Sequence, residues 1–494
     1  MSLIPECKEI EALAASYPVI PICKQIFADN VTPITLLRKI GALSKQYYLL
    51  ESVEGGETWG RYSFLGFDPV MQVSATNHKV TVKNYETTDK VPTETILNTD
   101  SPYDVLRDIL TDYKSPKLPG LPPFTGGFVG YFAYRMIGYA EPKLSIKKGA
   151  LNDFDLMLFD TVIAYDHLKQ SISIVVNMKT DQVMENYGAA CAKLEQISRM
   201  IHEETPLAPS NVKSHPDFQC SLSKNEYCQM VEKAKAYIEN GDIFQAVLSR
   251  TFKSPWTDSL LNPYRVLRTS NPSPYMVYLH MDSLEIISTS PETLVRLVDG
   301  RLTTFPVAGS RPRGKDAQED KKLEEELLAD EKELAEHNML VDLGRNDLGK
   351  ISNFSTVEVT EYKMIHKYSR IMHICSQVEG NIKPGCDAFS AIEAVLPAGT
   401  LSGAPKIRAC EIIEELEQEP RGIYGGALGY IDFTGNMDTC IAIRMAVKCG
   451  EEVTVQAGGG IVSDSVPELE YEESGHKAMA VIKALESAWE VNDG

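Results

Sequence analysis

Two glutamate pairs at helical spacing and a run of bare glycines are the parts of this sequence best able to do chemistry. In Pro467-Glu-Leu-Glu-Tyr-Glu-Glu-Ser-Gly-His-Lys477, Glu470 and Glu473 are three apart, so a helix puts them on one face with Lys477 a turn later. Just upstream, Gly458, Gly459 and Gly460 strip side chains from a strand end and let backbone N–H groups approach a ligand. Carboxylates, a lysine and bare amides could together cradle a small acid through a divalent cation. The same residues also describe a solvated charged helix after a glycine turn, and spacing does not choose between the two. Glu333 and Glu336 repeat the pattern in Lys332-Glu-Leu-Ala-Glu-His337, where the surrounding charge makes surface salt bridging the plainer reading. Glu292, in Ser288-Thr-Ser-Pro-Glu292, and His373, in an apolar strand pattern, read alone as a cap and as a packed core histidine.

These residues need elements to carry them. Ile423-Tyr-Gly-Gly-Ala-Leu-Gly-Tyr430, Cys440-Ile-Ala-Ile-Arg444 and Gln456-Ala-Gly-Gly-Gly-Ile461 read as neighbouring strands, followed by a helix opening at Pro467. Earlier strands are expected at 47–52, as a pair within 59–69, over 73–84, at 124–132, as a hairpin from 156–166 and 171–177, and at 275–280, 285–289, 294–297 and 364–379. Thr32-Pro33 suits a helix start, Ser223-Lys-Asn-Glu226 is a capping-box pattern, and 316–338 reads as one long charged helix. Residues 202–214 are polar with two prolines and mark a boundary between an N-terminal region, 1–205, and a second region, 215–494, the two sharing one core. Hairpins with interspersed helices predict α+β layers rather than a doubly wound parallel sheet.

The chain has 494 residues, enough for a large core. A net charge of −20 argues against a nucleic-acid or anionic-membrane surface, so an anionic substrate would need positive charge gathered locally. Ten scattered cysteines lack paired CxxC spacing, which points to reduced thiols in a cytoplasmic protein. No secretory signal or bilayer-spanning apolar run is expected.

Taken together, these motifs resemble the chorismate-utilising enzymes across nearly the whole chain, and among them the anthranilate synthase component I branch. The resemblance implies two large, mainly antiparallel sheets packed as a sandwich with helices outside. It implies that Glu336 and Glu473 hold Mg²⁺, with Glu333 and Glu470 close by. It makes Glu292 the general acid for the departing C4 hydroxyl of chorismate and links His373 to pyruvate elimination. Gly309, Ser310, Thr400, Tyr424, Arg444, Gly458, Gly459, Gly460 and Lys477 match substrate-binding positions, Ser310 standing where threonine is common. Ser52, Pro274, Tyr275 and Met276, with Glu51, Asn271 and Cys440 nearby, match a feedback site for L-tryptophan.

Two positions separate the branches. Isochorismate and salicylate synthases carry a water-activating lysine where this chain has Gln245, and aminodeoxychorismate synthase carries a nucleophilic lysine at Ala308. Neither residue here can play those parts, which favours direct amination at C2 by ammonia, the first committed step of tryptophan biosynthesis. The alternative is aminodeoxychorismate synthase component I; a non-catalytic amino-acid-binding regulator of the same fold is a further class. No Gly-x-Cys-x-Gly nucleophile turn is present. Glutamine hydrolysis is therefore expected from a separate amidotransferase subunit, component II, in a heterotetramer.

Overall fold

The computed structural model describes residues 3–52, 60–86, 91–203, 212–367 and 371–491. Its described residues build two twelve-stranded sheets in which every pairing is antiparallel. Residues from the facing sheets interdigitate in one cluster, among them Tyr48, Leu50, Val277 and Ile286 from the first sheet and Val129, Tyr131, Met157 and Leu428 from the second. The outer face of the first sheet is covered by the helices Pro33–Leu43, Val183–His202, Leu261–Ser270 and Pro467–Glu486. The second is covered by Pro102–Asp112, Glu331–Gly349 and Ala388–Val395. The result is the expected α+β sandwich. It also explains why the strand Gln46–Glu51 is buried throughout: Tyr48 and Leu50 face the other sheet while Tyr47 and Leu49 face helices.

Both sheets draw strands from each side of 202–214, most of which lies outside the described residues. Gln46–Glu51, for example, pairs with Tyr275–Met281.

Several local expectations are corrected. The tail strands are not all neighbours: Ala427–Asp432 pairs with Met437–Ile441 in the second sheet, whereas Glu452–Ile461 lies in the first. Their sequence proximity hid a crossing between layers. The same crossing splits 156–166: Phe154–Phe159 belongs to the second sheet and Thr161–Asp166 to the first, where it forms the hairpin with Ser171–Lys179. The expected pair within 59–69 is one strand, Tyr62–Phe67, and Trp59 lies outside the described residues. Residues 73–84 fall into Met71–Thr76 and Lys79–Asn84, because Asn77 (φ 53°) and His78 (φ 64°) turn the chain through positive φ, which suits a two-residue hairpin turn. Glu358–Lys367 and Ile371–Asn381 make a hairpin instead of one strand. The long charged helix is two, Ala317–Ala329 and Glu331–Gly349. Asp330 leaves helical geometry between them, and its carboxylate accepts hydrogen bonds from the Lys332 and Glu333 amides.

Candidate active site

The substrate-side residues come from both sheets and two helices. Glu292 follows the strand Leu284–Ser290 and opens into Thr293–Val298, so it stands where the chain passes from one sheet to the other. Thr400, in the turn Gly399–Leu401, donates its hydroxyl to Glu292 Oε1 at 3.0 Å. Burial pushes the Glu292 carboxyl up to about 8, against the pull of that hydroxyl and of Lys477.

The glycine run lies opposite Val247–Ser249: Gly458 pairs with Ser249, Gly459 with Leu248 and Gly460 with Val247. A β-carbon at Gly458 would collide with the Leu248 carbonyl at 2.3 Å, and one at Gly460 with Gln245 Nε2 at 2.1 Å. Lys477 donates to the Gly458 carbonyl at 3.2 Å and pairs with Glu473 at 2.7 Å. Tyr424 is buried beside the Gly458 amide, and burial raises its hydroxyl to about 12.

Arg444, in a left-handed backbone conformation (φ 48°), makes no side-chain hydrogen bond or ion pair among the described residues. Burial lowers its pKa, while Tyr424 and Glu473 act in the other direction. A guanidinium set in protein without an anionic partner at contact distance is ready for a carboxylate.

His373 Nδ1 lies 3.0 Å from the Gly309 carbonyl. Gly309 adopts φ 71° at a bulge between the Ala308–Ile374 and Ser310–His373 pairs, which turns that carbonyl toward the ring. A carbonyl accepts only from N–H, so this bond puts the proton on Nδ1 and the lone pair on Nε2. Burial lowers the His373 pKa, Gly309 opposes this, and the Arg444 charge adds to it, so the ring is neutral near pH 7. Ser310 is exposed on the same strand.

The four helix carboxylates sense one another without converging. Glu336 is raised by burial and by Glu333 and Glu473, and has no hydrogen bond or ion pair among the described residues. Glu470 accepts from Ser465 at 2.7 Å and is also raised, chiefly by burial. Glu333 faces Arg311 at 3.5 Å. No group of three or more His, Cys, Asp or Glu stands ready to hold a metal among the described residues. The donor set is nevertheless all hard oxygen, and among the described residues Glu336 forms no ion pair, Lys477 and Lys332 acting on it only from a distance. Those features fit a Mg²⁺ held by few protein oxygens plus water and substrate.

A cavity of about 420 Å³ borders Glu292 and Thr400 but is otherwise lined mainly by apolar groups such as Leu340 and Leu343. It shares neither Arg444 nor Lys477 with the polar cluster, and we assign the site to the charges.

A second cavity, of about 760 Å³, gathers Glu51, Ser52, Pro274, Tyr275 and Met276. The Met276–Glu51 strand pairing unites these stretches, which are distant in sequence. Asn271 and Cys440 do not line it: the Asn271 carbonyl is bound by Thr289, and Cys440 is buried between the sheets. Glu51 is committed to Arg268, Tyr264 and Ser63, so it braces the wall. Sequence reasoning missed Tyr430, Arg296 and Asp438, which line it together with others such as Phe64 and Pro123. Asp438, one carboxylate in the apolar strand Met437–Ile441, was the available signal.

The chain belongs to the chorismate binding enzymes, a family that matches residues 45–483. Within that family it is 43% identical to anthranilate synthase component 1 of Acetivibrio thermocellus and 42% identical to that of Aquifex aeolicus (strain VF5), each comparison covering 99% of both chains. The crystal structure of anthranilate synthase component I from Streptococcus pneumoniae TIGR4 superimposes with a TM-score of 0.75 at 34% identity, covering 93% of this chain and 99% of that one. The Escherichia coli isochorismate synthase MenF shares the fold, with a TM-score of 0.68 at 18% identity over 97% of this chain and 98% of that one.

Proposed function

We propose that this chain is the chorismate-converting subunit of an anthranilate synthase. Ammonia adds at C2 of chorismate as the ring double bonds shift and the C4–oxygen bond breaks. The hydroxyl leaves as water with a proton from Glu292. Loss of the C2 proton and of pyruvate then gives anthranilate. The observation that carries this reading is the half-buried Glu292 carboxyl at the junction of the two sheets, held by the Thr400 hydroxyl at 3.0 Å; desolvation pushes it up to about 8, as a general acid requires.

Arg444 grips a substrate carboxylate, with Tyr424, Lys477 and the Gly458–Gly460 backbone around it. Neutral His373 offers an Nε2 lone pair suited to proton handling in the elimination step. Glu336 and Glu473 would hold Mg²⁺; for that, Glu473 exchanges its Lys477 partner for the cation. A bound Mg²⁺ would neutralise substrate carboxylate charge and draw electrons from the ring.

The second cavity is assigned to L-tryptophan as feedback inhibitor; its aromatic lining (Tyr62, Phe64, Tyr275, Tyr430) and the Glu51 and Asp438 carboxylates suit an aromatic amino acid. Ammonia reaches the site from a glutamine-hydrolysing component II, in keeping with the component 1 names of the relatives.

The test uses the purified chain with chorismate, Mg²⁺ and an ammonium salt at mildly alkaline pH, followed by anthranilate fluorescence. Metal-dependent anthranilate formation suppressed by tryptophan is expected. Tryptophan binding without turnover would point to a regulator instead.

A further inference from the structure

We propose that Arg421 and Glu417 form a positioning pair that sets three substrate-side groups of the active site at once. The inference rests on the anthranilate synthase reading for its assay but on separate geometry for its content. Arg421 is 4% exposed and Glu417 5%. Arg421 Nε and Nη2 reach the two Glu417 oxygens at 2.8 and 2.6 Å, a bidentate pair across one helical turn's spacing.

The remaining donors are spent on main-chain carbonyls rather than on other charges. Nη1 donates to Leu401 O at 2.5 Å, immediately after Thr400, whose hydroxyl holds Glu292. Nη2 donates to Val247 O at 2.6 Å, on the strand residue paired with Gly460. The guanidinium also lies 5.8 Å from the Tyr424 ring centroid and 4.7 Å from that of Tyr134. Glu417 Oε1 accepts from the amide and hydroxyl of Ser249 at 2.7 and 2.8 Å, opposite Gly458.

One buried ion pair thus clamps the Thr400 turn, the strand behind the glycine run and the face of Tyr424. Such a pair adds little net stability over a well-packed apolar replacement, so its use lies in geometry.

The test compares the parent with R421M/E417Q, which removes both charges while keeping an acceptor for Ser249, and with R421K. Folded fraction, kcat, KM for chorismate and the pH dependence of kcat are measured on each. With the Thr400 turn released, kcat per folded site should fall roughly tenfold or more. The alkaline limb should move to higher pH, because Glu292 loses the hydroxyl that favours its charged form. R421K should recover part of the rate. Parental kcat and pH limb in the folded variants would overturn the proposal, as would failure of both variants to fold, which would make the pair a folding element. A parent chain that makes no anthranilate would sink the functional reading instead.

Discussion

The hydroxyls of Tyr275 and Thr293 lie 3.0 Å apart, one in the wall of the 760 Å³ cavity and the other on the residue after Glu292. Tyr275 also donates to Asp438 at 2.7 Å and pairs in register with Ser290, whose hydroxyl contacts the Glu292 backbone. A ligand that shifts Tyr275 therefore acts on the strand end that aims Glu292, the proposed general acid. Tyr275→Phe should keep turnover in the absence of tryptophan while inhibition by tryptophan weakens, because the hydroxyl link from the cavity wall to Thr293 is lost. Inhibition curves at fixed chorismate read this; unchanged inhibition would remove Tyr275 from the coupling.

Ser52 faces the same cavity, one step past the Met276–Glu51 pair. Ser52→Phe fills the cavity and should raise the tryptophan concentration for half-inhibition roughly tenfold or more, as overpacking does, with turnover retained. Titration of the variant against tryptophan checks it.

Glu292 gives the pH prediction. Its carboxyl titrates at about 8 in the folded chain against 4.5 ordinarily. If Glu292 is the general acid, as proposed, kcat should fall as pH rises through about 8. Glu292→Gln should lower kcat by about 10²–10⁴ and lose that limb. The stability sign follows from the same shift. A raised carboxyl contributes stability that is fully present below 4.5 and lost as pH rises through about 8. Glu292→Gln should therefore be at least as stable as the parent at pH 8, by urea denaturation.

Chelation with EDTA should abolish activity without unfolding the chain, and Mg²⁺ should restore it. Glu336→Gln should raise the Mg²⁺ concentration needed for half-maximal rate. A metal response identical to the parent's would remove Glu336 from the site.

Gly309→Ala should cost about 1–2 kcal/mol for the left-handed backbone alone, since Gly309 sits at φ 71° with Glu333 Oε2 3.1 Å from any added β-carbon. Because the Gly309 carbonyl orients His373, kcat should fall further than stability does. Denaturation and turnover on one preparation separate the two.

The α+β class was readable because hairpins, caps and alternating strands are local signals, whereas the antiparallel two-sheet sandwich came from the family resemblance. Thr32 and Ser223 cap their helices as their neighbours predict. Which strand joins which sheet was not readable, since only Asp160 separates Phe159 from Thr161, yet the two lie in different sheets. The glutamates, Arg444 and the glycines carried spacing and type, and the family resemblance supplied their roles. Asp330 escaped as a helix break because an aspartate in a charged run reads as surface. Arg421 and Asp438 escaped because single polar residues gain meaning only from the carbonyls and rings packed around them.

The most direct test of the central claim is the identity of the product. The chain alone would be incubated with chorismate, Mg²⁺ and ¹⁵N-ammonium, and the products separated and weighed by mass spectrometry. The account predicts ¹⁵N-labelled anthranilate with one pyruvate for each. A 4-amino product, or isochorismate or salicylate formed without ammonium, would contradict it.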